Sequence, residues 1–134
     1  MRLDGNQRAQ GARPVYKVAV GDMCWLWHGA ALEGVAHVTL TVARVAWRFG
    51  DDADRAVVRP KTSAVGEFEI HADSCTGPLL ASLPLEPAVR GNGQNELSAT
   101  VSISTRNEAR DVCIFATGDP RDGQWVVARV AFSK

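Results

Sequence analysis

Apolar and polar side chains alternate along most of this chain in short runs, punctuated by Gly, Pro, Asp and Asn. Alternation with a period of two is the repeat of an extended strand with one buried face. Phe68, Ile70 and Ala72 fall on one side of the stretch that follows Gly66, and Glu67, Glu69 and His71 fall on the other. Asp73-Ser74 and Gly77-Pro78 then bring turn chemistry: short side chains that bond their own backbone, a residue free to take positive φ, and a fixed φ. Leu79, Leu80, Leu83 and Leu85 resume the apolar pattern. Leu97, Ala99, Val101 and Ile103 alternate with Ser98, Thr100, Ser102 and Ser104, the cleanest one-sided strand. Asp111 to Thr117 is apolar on both faces, which predicts a central strand. In the last run, Val126, Ala128, Val130 and Phe132 point one way and Trp125, Val127 and Arg129 the other.

The first half reads in the same terms. Val15 to Val20 is a short strand stopped by Gly21-Asp22. Met23 to His28 places Met23, Trp25 and Trp27 on one face and Cys24, Leu26 and His28 on the other. The paired indoles are either a core wall or an aromatic platform. From Val35 to Trp47, His37, Thr39 and Thr41 alternate against Val38, Leu40 and Val42; the phase then slips, so that Val45, Trp47 and Phe49 carry the apolar face. The slip predicts a bulge near Ala43-Arg44 or a break between two strands. Ala56 to Pro60 is a further short strand, and Glu86 to Asn95 a surface loop crowded with the amides Asn92, Gln94 and Asn95. Residues 1–14 are polar and aperiodic, a flexible arm or linker, with the folded domain at 15–134. No segment carries an apolar repeat at helical spacing. About eight strands spaced by Gly/Pro turns predict an all-β fold, an antiparallel β-sandwich of jelly-roll type.

Composition narrows the function. The chain has 134 residues, 46% of them hydrophobic, which fits one globular domain with a core of its own. Fifteen basic residues balance fifteen acidic ones, unlike a nucleic-acid surface with its excess of Lys and Arg. No apolar run has the length of a membrane span. The first residues carry no apolar signal core, and no compartment is assigned. Cys24, Cys75 and Cys113 lack the close pairing of a zinc site, and their odd number allows at most one internal disulfide. Buried thiols are expected, with a Cys24–Cys113 or Cys24–Cys75 bond requiring Cα atoms within about 7 Å.

Catalytic motifs are missing: no nucleophile elbow, phosphate-cradling glycine loop or His-Glu-x-x-His. His28, His37 and His71 sit singly on strand patterns. Asp51, Asp52 and Asp54 lack the spacing of a calcium loop and read as a solvated acidic loop. Glu67 and Glu69 share a strand face about 7 Å apart, near the separation of a glycosidase pair, but two such residues on an exposed face are expected to be solvated. The expectation is a chain without catalytic residues, cofactor or bound metal. Sugar binding asks for something else: rings to stack on C–H faces, and amides, carboxylates or Arg for hydroxyls. Trp25, Trp27, Trp47 and Trp125 supply rings, and Asn92, Gln94 and Asp122, with Asn95 and Arg48, supply polar groups.

Three blocks carry a resemblance. Gly21-Asp22-Met23-Cys24-Trp25-Leu26-Trp27 is similar to the opening of the C-terminal domain of bacterial family 20 β-N-acetylhexosaminidases. The strand, turn and leucine-rich return from Gly66 to Leu85 resembles that domain and the family 6 carbohydrate-binding modules. The third block is Arg110 to Gly118 followed by Trp125 to Val130. The likeness runs from about Val15 to Phe132 and implies a galactose-binding-like jelly roll. It implies a non-catalytic accessory domain that binds a glycan, N-acetylhexosamine included, or packs on a catalytic domain. A structural β-sandwich with no sugar affinity is the alternative. In the modules a sugar lies between two loop aromatics; here Asn95-Glu96 precede the strand where the second aromatic stands. Val126 replaces the last-strand asparagine, and Ala128 an aspartate that supports calcium. The resemblance therefore carries the fold further than the sugar cleft, and does not carry the calcium.

Overall fold

A computed structural model of the chain describes residues 2–3, 11–14, 24–45, 58–91, 93–102, 109–119 and 124–134. Among these, nine strands and one helical turn follow in order: β1 (Arg2–Leu3), β2 (Gly11–Pro14), β3 (Trp25–Ala31), β4 (His37–Val45), β5 (Glu67–Ala72), β6 (Leu79–Pro84), α1 (Glu86–Val89), β7 (Gln94–Thr100), β8 (Ala109–Ala116) and β9 (Gln124–Ser133). They form a five-stranded sheet, β1-β3-β8-β5-β6, and a four-stranded sheet, β2-β9-β4-β7. Apart from the β5–β6 hairpin, each strand lies in the other sheet from the one before it. The chain thus shuttles between layers, and strand neighbours are distant in sequence. All pairings are antiparallel except β1 on β3. The architecture is an antiparallel β-sandwich. Among the described residues no helix is long and apolar enough to cross a membrane.

The core lies where the inner faces meet. Phe68, Ile70 and Ala72 of β5 are fully buried, as are Val38, Leu40 and Val42 of β4. Trp25 and Trp27 project into the same space from β3, and the Trp27 ring meets Phe132 of the opposite sheet at 5.5 Å between centroids. The core-wall reading of this Trp pair is the one the structure adopts. β8, read as a central strand, runs between β3 and β5 and buries side chains on both faces.

Several elements differ from the sequence pattern. The phase slip expected in β4 is instead a bulge in its partner: Thr41 pairs with Arg129 and Val42 with Val127, leaving Ala128 unmatched. That extra residue turns Trp125 and Val127 onto the same face as Val130 and Phe132, so all four join the core. A strict period of two cannot anticipate such a switch. The N-terminal arm contributes β1 beside Leu26 and Trp27, and β2 beside Arg129 to Phe132. Edge pairing needs only backbone N–H and C=O groups, so a segment without apolar period can supply it. The Ala56–Pro60 run reduces, within the described residues, to one bridge between Arg59 and Gly118. The expected 86–95 loop includes the helical turn α1. The strand expected at Val15–Val20 and the acidic loop at 50–55 lie outside the described residues.

Candidate functional site

The register places three strand ends side by side at one end of the four-stranded sheet: Ala43 opposite Gln94, Arg44 opposite Trp125, and Val45 opposite Gln124. Arg44 and Gln94 are exposed, and the Arg44 guanidinium carbon lies 5.9 Å from the centre of the Trp125 ring. Gln124 is fully buried. Asn95 reaches back over the preceding turn, its amide nitrogen 3.4 Å from the Gly93 carbonyl. A Cβ at Gly91 would sit 1.9 Å from the Asn95 Oδ1, so the absence of a side chain there is what seats the amide. This end therefore displays a guanidinium and two amides, a set able to bond the hydroxyls of a polyol.

Of the residues selected from sequence, Gln94 belongs to this end. Trp47, Asn92 and Asp122 lie outside the described residues. Trp25, Trp27 and Trp125 do not face solvent: they are 2%, 1% and 7% exposed. A pyranose stacks on an open ring face, and these indoles have given theirs to the core. As ligand contacts, Trp25 and Trp27 are corrected to core residues, and Trp125 offers at most an edge beneath Arg44. Phe68, Phe115 and Phe132 are buried as well.

The outer face of the five-stranded sheet carries most of the remaining polar chemistry. Glu67, expected to be solvated, is fully buried. Its Oε1 accepts from the Thr62 amide at 2.9 Å and the Thr62 hydroxyl at 3.0 Å; its Oε2 accepts from the Ser63 amide at 3.0 Å and hydroxyl at 2.6 Å. Burial pushes this carboxyl up, and the four donors together outweigh it and hold the group below the usual glutamate range. Both oxygens are thus committed to the 62–63 loop, and Glu67 and Glu69 do not form a hydrolytic pair. Glu69 lies beside His71, whose ring stacks on Phe115 at 5.2 Å; Arg59 covers the same ring at 4.6 Å.

His28 Nδ1 lies 2.9 Å from Asp111 Oδ2, and the Gly29 amide donates to Oδ1 at 3.0 Å. The His28 bond first, then the Gly29 amide, hold the Asp111 carboxyl below the usual range. Gly29 has a φ of 66°, in the left-handed region that favours glycine, where β3 shifts register against β8. Arg110 grips Asp73 with Nε and Nη2 on the two carboxylate oxygens.

The cysteines are the largest departure from the sequence reading. Scattered in sequence, their three sulfurs lie within 4.8 Å of one another. Cys75 is disulfide-bonded to Cys113, with Cα atoms 5.0 Å apart, a pairing not among the two anticipated. The signal was present in the alternation. Cys24 shares its outward face with Leu26 and His28, Cys113 lies directly opposite Leu26, and the Asp73-to-Pro78 turn folds Cys75 back towards Cys113. What the pattern lacked was the strand order that makes β8 the neighbour of β3 and β5 at once.

No protein-family model matches the chain, and no curated protein matches it in sequence. Solved structures do. A family 6 carbohydrate-binding module from Clostridium cellulolyticum, in complex with xylose, superposes with a TM-score of 0.59 at 20% identity, over 85% of this chain and 74% of that one. A module of the same family from Clostridium stercorarium, in complex with cellobiose, gives 0.56 at 16% identity over 100% of this chain and 79% of that one. A β-1,3-glucan-binding family 6 module from Bacillus halodurans gives 0.58 at 17% identity, over 84% of this chain and 71% of that one. At these identities the likeness speaks for backbone architecture: the chain has the β-sandwich fold of the family 6 carbohydrate-binding modules.

Proposed function

We propose that this chain is a non-catalytic carbohydrate-binding domain whose glycan contact lies at the Arg44–Gln94 end of the four-stranded sheet. The observation that carries the reading is the fold shared with modules solved in complex with xylose and cellobiose or described as β-1,3-glucan-binding. The exposed Arg44 and Gln94 side chains and the half-buried Asn95 supply hydroxyl partners, with Asn92 and Asp122 as further ones. The described Trp and Phe rings are all buried; of the four Trp residues selected from sequence, we assign the stacking role to Trp47. By its resemblance in sequence the domain is an accessory to a glycoside hydrolase such as a family 20 β-N-acetylhexosaminidase. N-acetylglucosamine oligomers therefore belong in its ligand class beside xylo- and gluco-oligosaccharides.

The test is titration calorimetry of the purified chain against xylo-oligosaccharides, cello-oligosaccharides, β-1,3-gluco-oligosaccharides and N-acetylglucosamine oligomers. Saturable binding that is lost in Trp47→Ala and weakened about tenfold in Gln94→Ala, with unchanged circular dichroism, supports the reading; one lost hydrogen bond to a sugar is worth about 1.4 kcal/mol at that ratio. The burial of every described aromatic ring favours a second reading, a structural sandwich that packs on a catalytic or partner domain without touching sugar. A folded sample that binds none of the four glycan classes decides for that alternative.

A further inference from the structure

We propose that Cys24, Cys75 and Cys113 form a thiol–disulfide exchange centre in which Cys113 is shared between two alternative bonds. The strand order β3-β8-β5 sets Cys113 in the middle, with Cys24 approaching from the β3 side and Cys75 from the turn after β5. Cys24 Sγ lies 2.8 Å from Cys113 Sγ, in direct contact with one sulfur of the existing bond. Cys113 is fully buried, while Cys24 and Cys75 are partly exposed residues, so the two outer members of the cluster lie nearer the surface than the central one. This layout is independent of sugar binding.

The step balances without an outside reagent. The Cys24 thiolate attacks Cys113 Sγ, a Cys24–Cys113 bond forms, and the Cys75–Cys113 bond breaks. The electron pair leaves on Cys75 Sγ, which takes up the proton that Cys24 released to solvent. The number of disulfides is unchanged; the cross-link moves from the β5–β6 turn to the entry of β3. A thiol appears at Cys75, flanked by the exposed Ser74 and Thr76. Because the thiolate is the nucleophile, the exchange quickens as pH rises and stops in acid.

The experiment uses the whole chain, purified without reductant, held at mildly alkaline pH, quenched in acid, alkylated and digested without reduction. Mass spectrometry should find both Cys75–Cys113 and Cys24–Cys113 linked peptides, with alkylated Cys24 and alkylated Cys75 in complementary amounts. Cys24→Ser should leave only the Cys75–Cys113 peptide. Cys75→Ser, given oxidised glutathione, should form Cys24–Cys113, and Cys113→Ser should form neither. A wild-type sample that yields Cys75–Cys113 alone, with Cys24 fully alkylated after alkaline incubation, overturns the proposal. So does a folded Cys75→Ser protein that keeps two thiols in oxidised glutathione. If Cys75→Ser fails to fold, the wild-type map decides.

Discussion

Ser63 holds Glu67 twice over: its amide nitrogen and its hydroxyl oxygen lie 3.0 and 2.6 Å from the same carboxylate oxygen. With Thr62 on the other oxygen, the loop before β5 closes around a fully buried negative charge. Glu67→Ala leaves four donors without their acceptor and should cost about 3 kcal/mol in urea unfolding at neutral pH. Glu67→Gln keeps the shape, loses one acceptor oxygen, and should cost less. The pH dependence has a definite sign. The folded carboxyl titrates below its unfolded value, so its stabilisation is complete above the ordinary glutamate pKa of about 4.3 and is lost as pH falls through the lowered folded value. Wild type should therefore lose more stability than Glu67→Gln between neutral and acid pH. Equal losses would refute the role of this charge.

Asp111 offers a second acid-side test, at a more exposed position. The His28 bond and the Gly29 amide both favour its ionised form. Carboxyl-carbon NMR should place its midpoint below the ordinary aspartate value of about 3.9, and His28→Ala should move it back up. Its contribution to stability has the same sign as that of Glu67: present above the unfolded pKa, lost on acidification. An unmoved midpoint in His28→Ala would mean that the Gly29 amide alone sets it.

Trp27→Ala separates core from site. The side chain is 1% exposed and packs on Phe132 across the sandwich. Truncation should cost about 3–5 kcal/mol in equilibrium unfolding, the usual price of emptying a large aromatic from a core. Loss of glycan binding in this variant would report unfolding rather than a lost contact, so the melt must accompany any titration.

Gly77 closes the β5–β6 turn with no room for a side chain. A Cβ there would fall 1.8 Å from the Ala72 carbonyl oxygen, a backbone atom that cannot swing aside. Gly77→Ala should destabilise the protein by about 1–3 kcal/mol, seen as a lower melting temperature. It should also reduce amide-exchange protection at Ala72, whose N–H bonds the Pro78 carbonyl across this turn. A variant as stable as wild type would mean that the turn has a second conformation.

The sandwich itself was legible in the sequence because each strand declares its buried face locally: Phe68, Ile70 and Ala72, or Val38, Leu40 and Val42, need no knowledge of the partner strand. What required the partner was not legible. The Ala128 bulge, which turns Trp125 inward, depends on how β9 meets β4. The burial of Glu67 depends on a loop whose Thr and Ser reveal nothing until they curl back on it. The three sulfurs meet because of strand order, which alternation does not encode. For the sugar site the pattern supplied residue types, and the structure withdrew the indoles of Trp25 and Trp27 from the surface.

One consequence of β2 reaches beyond this single chain. β9 would otherwise end its sheet with a long open row of amides and carbonyls, the template on which a second molecule adds a strand. β2 covers Arg129 to Phe132 of that row with four residues, the last of which, Pro14, has no N–H to offer a newcomer. Among the described residues this border thus ends on a short strand with one donor fewer, a poorer template for a strand from a second molecule than the bare edge of β9 would be.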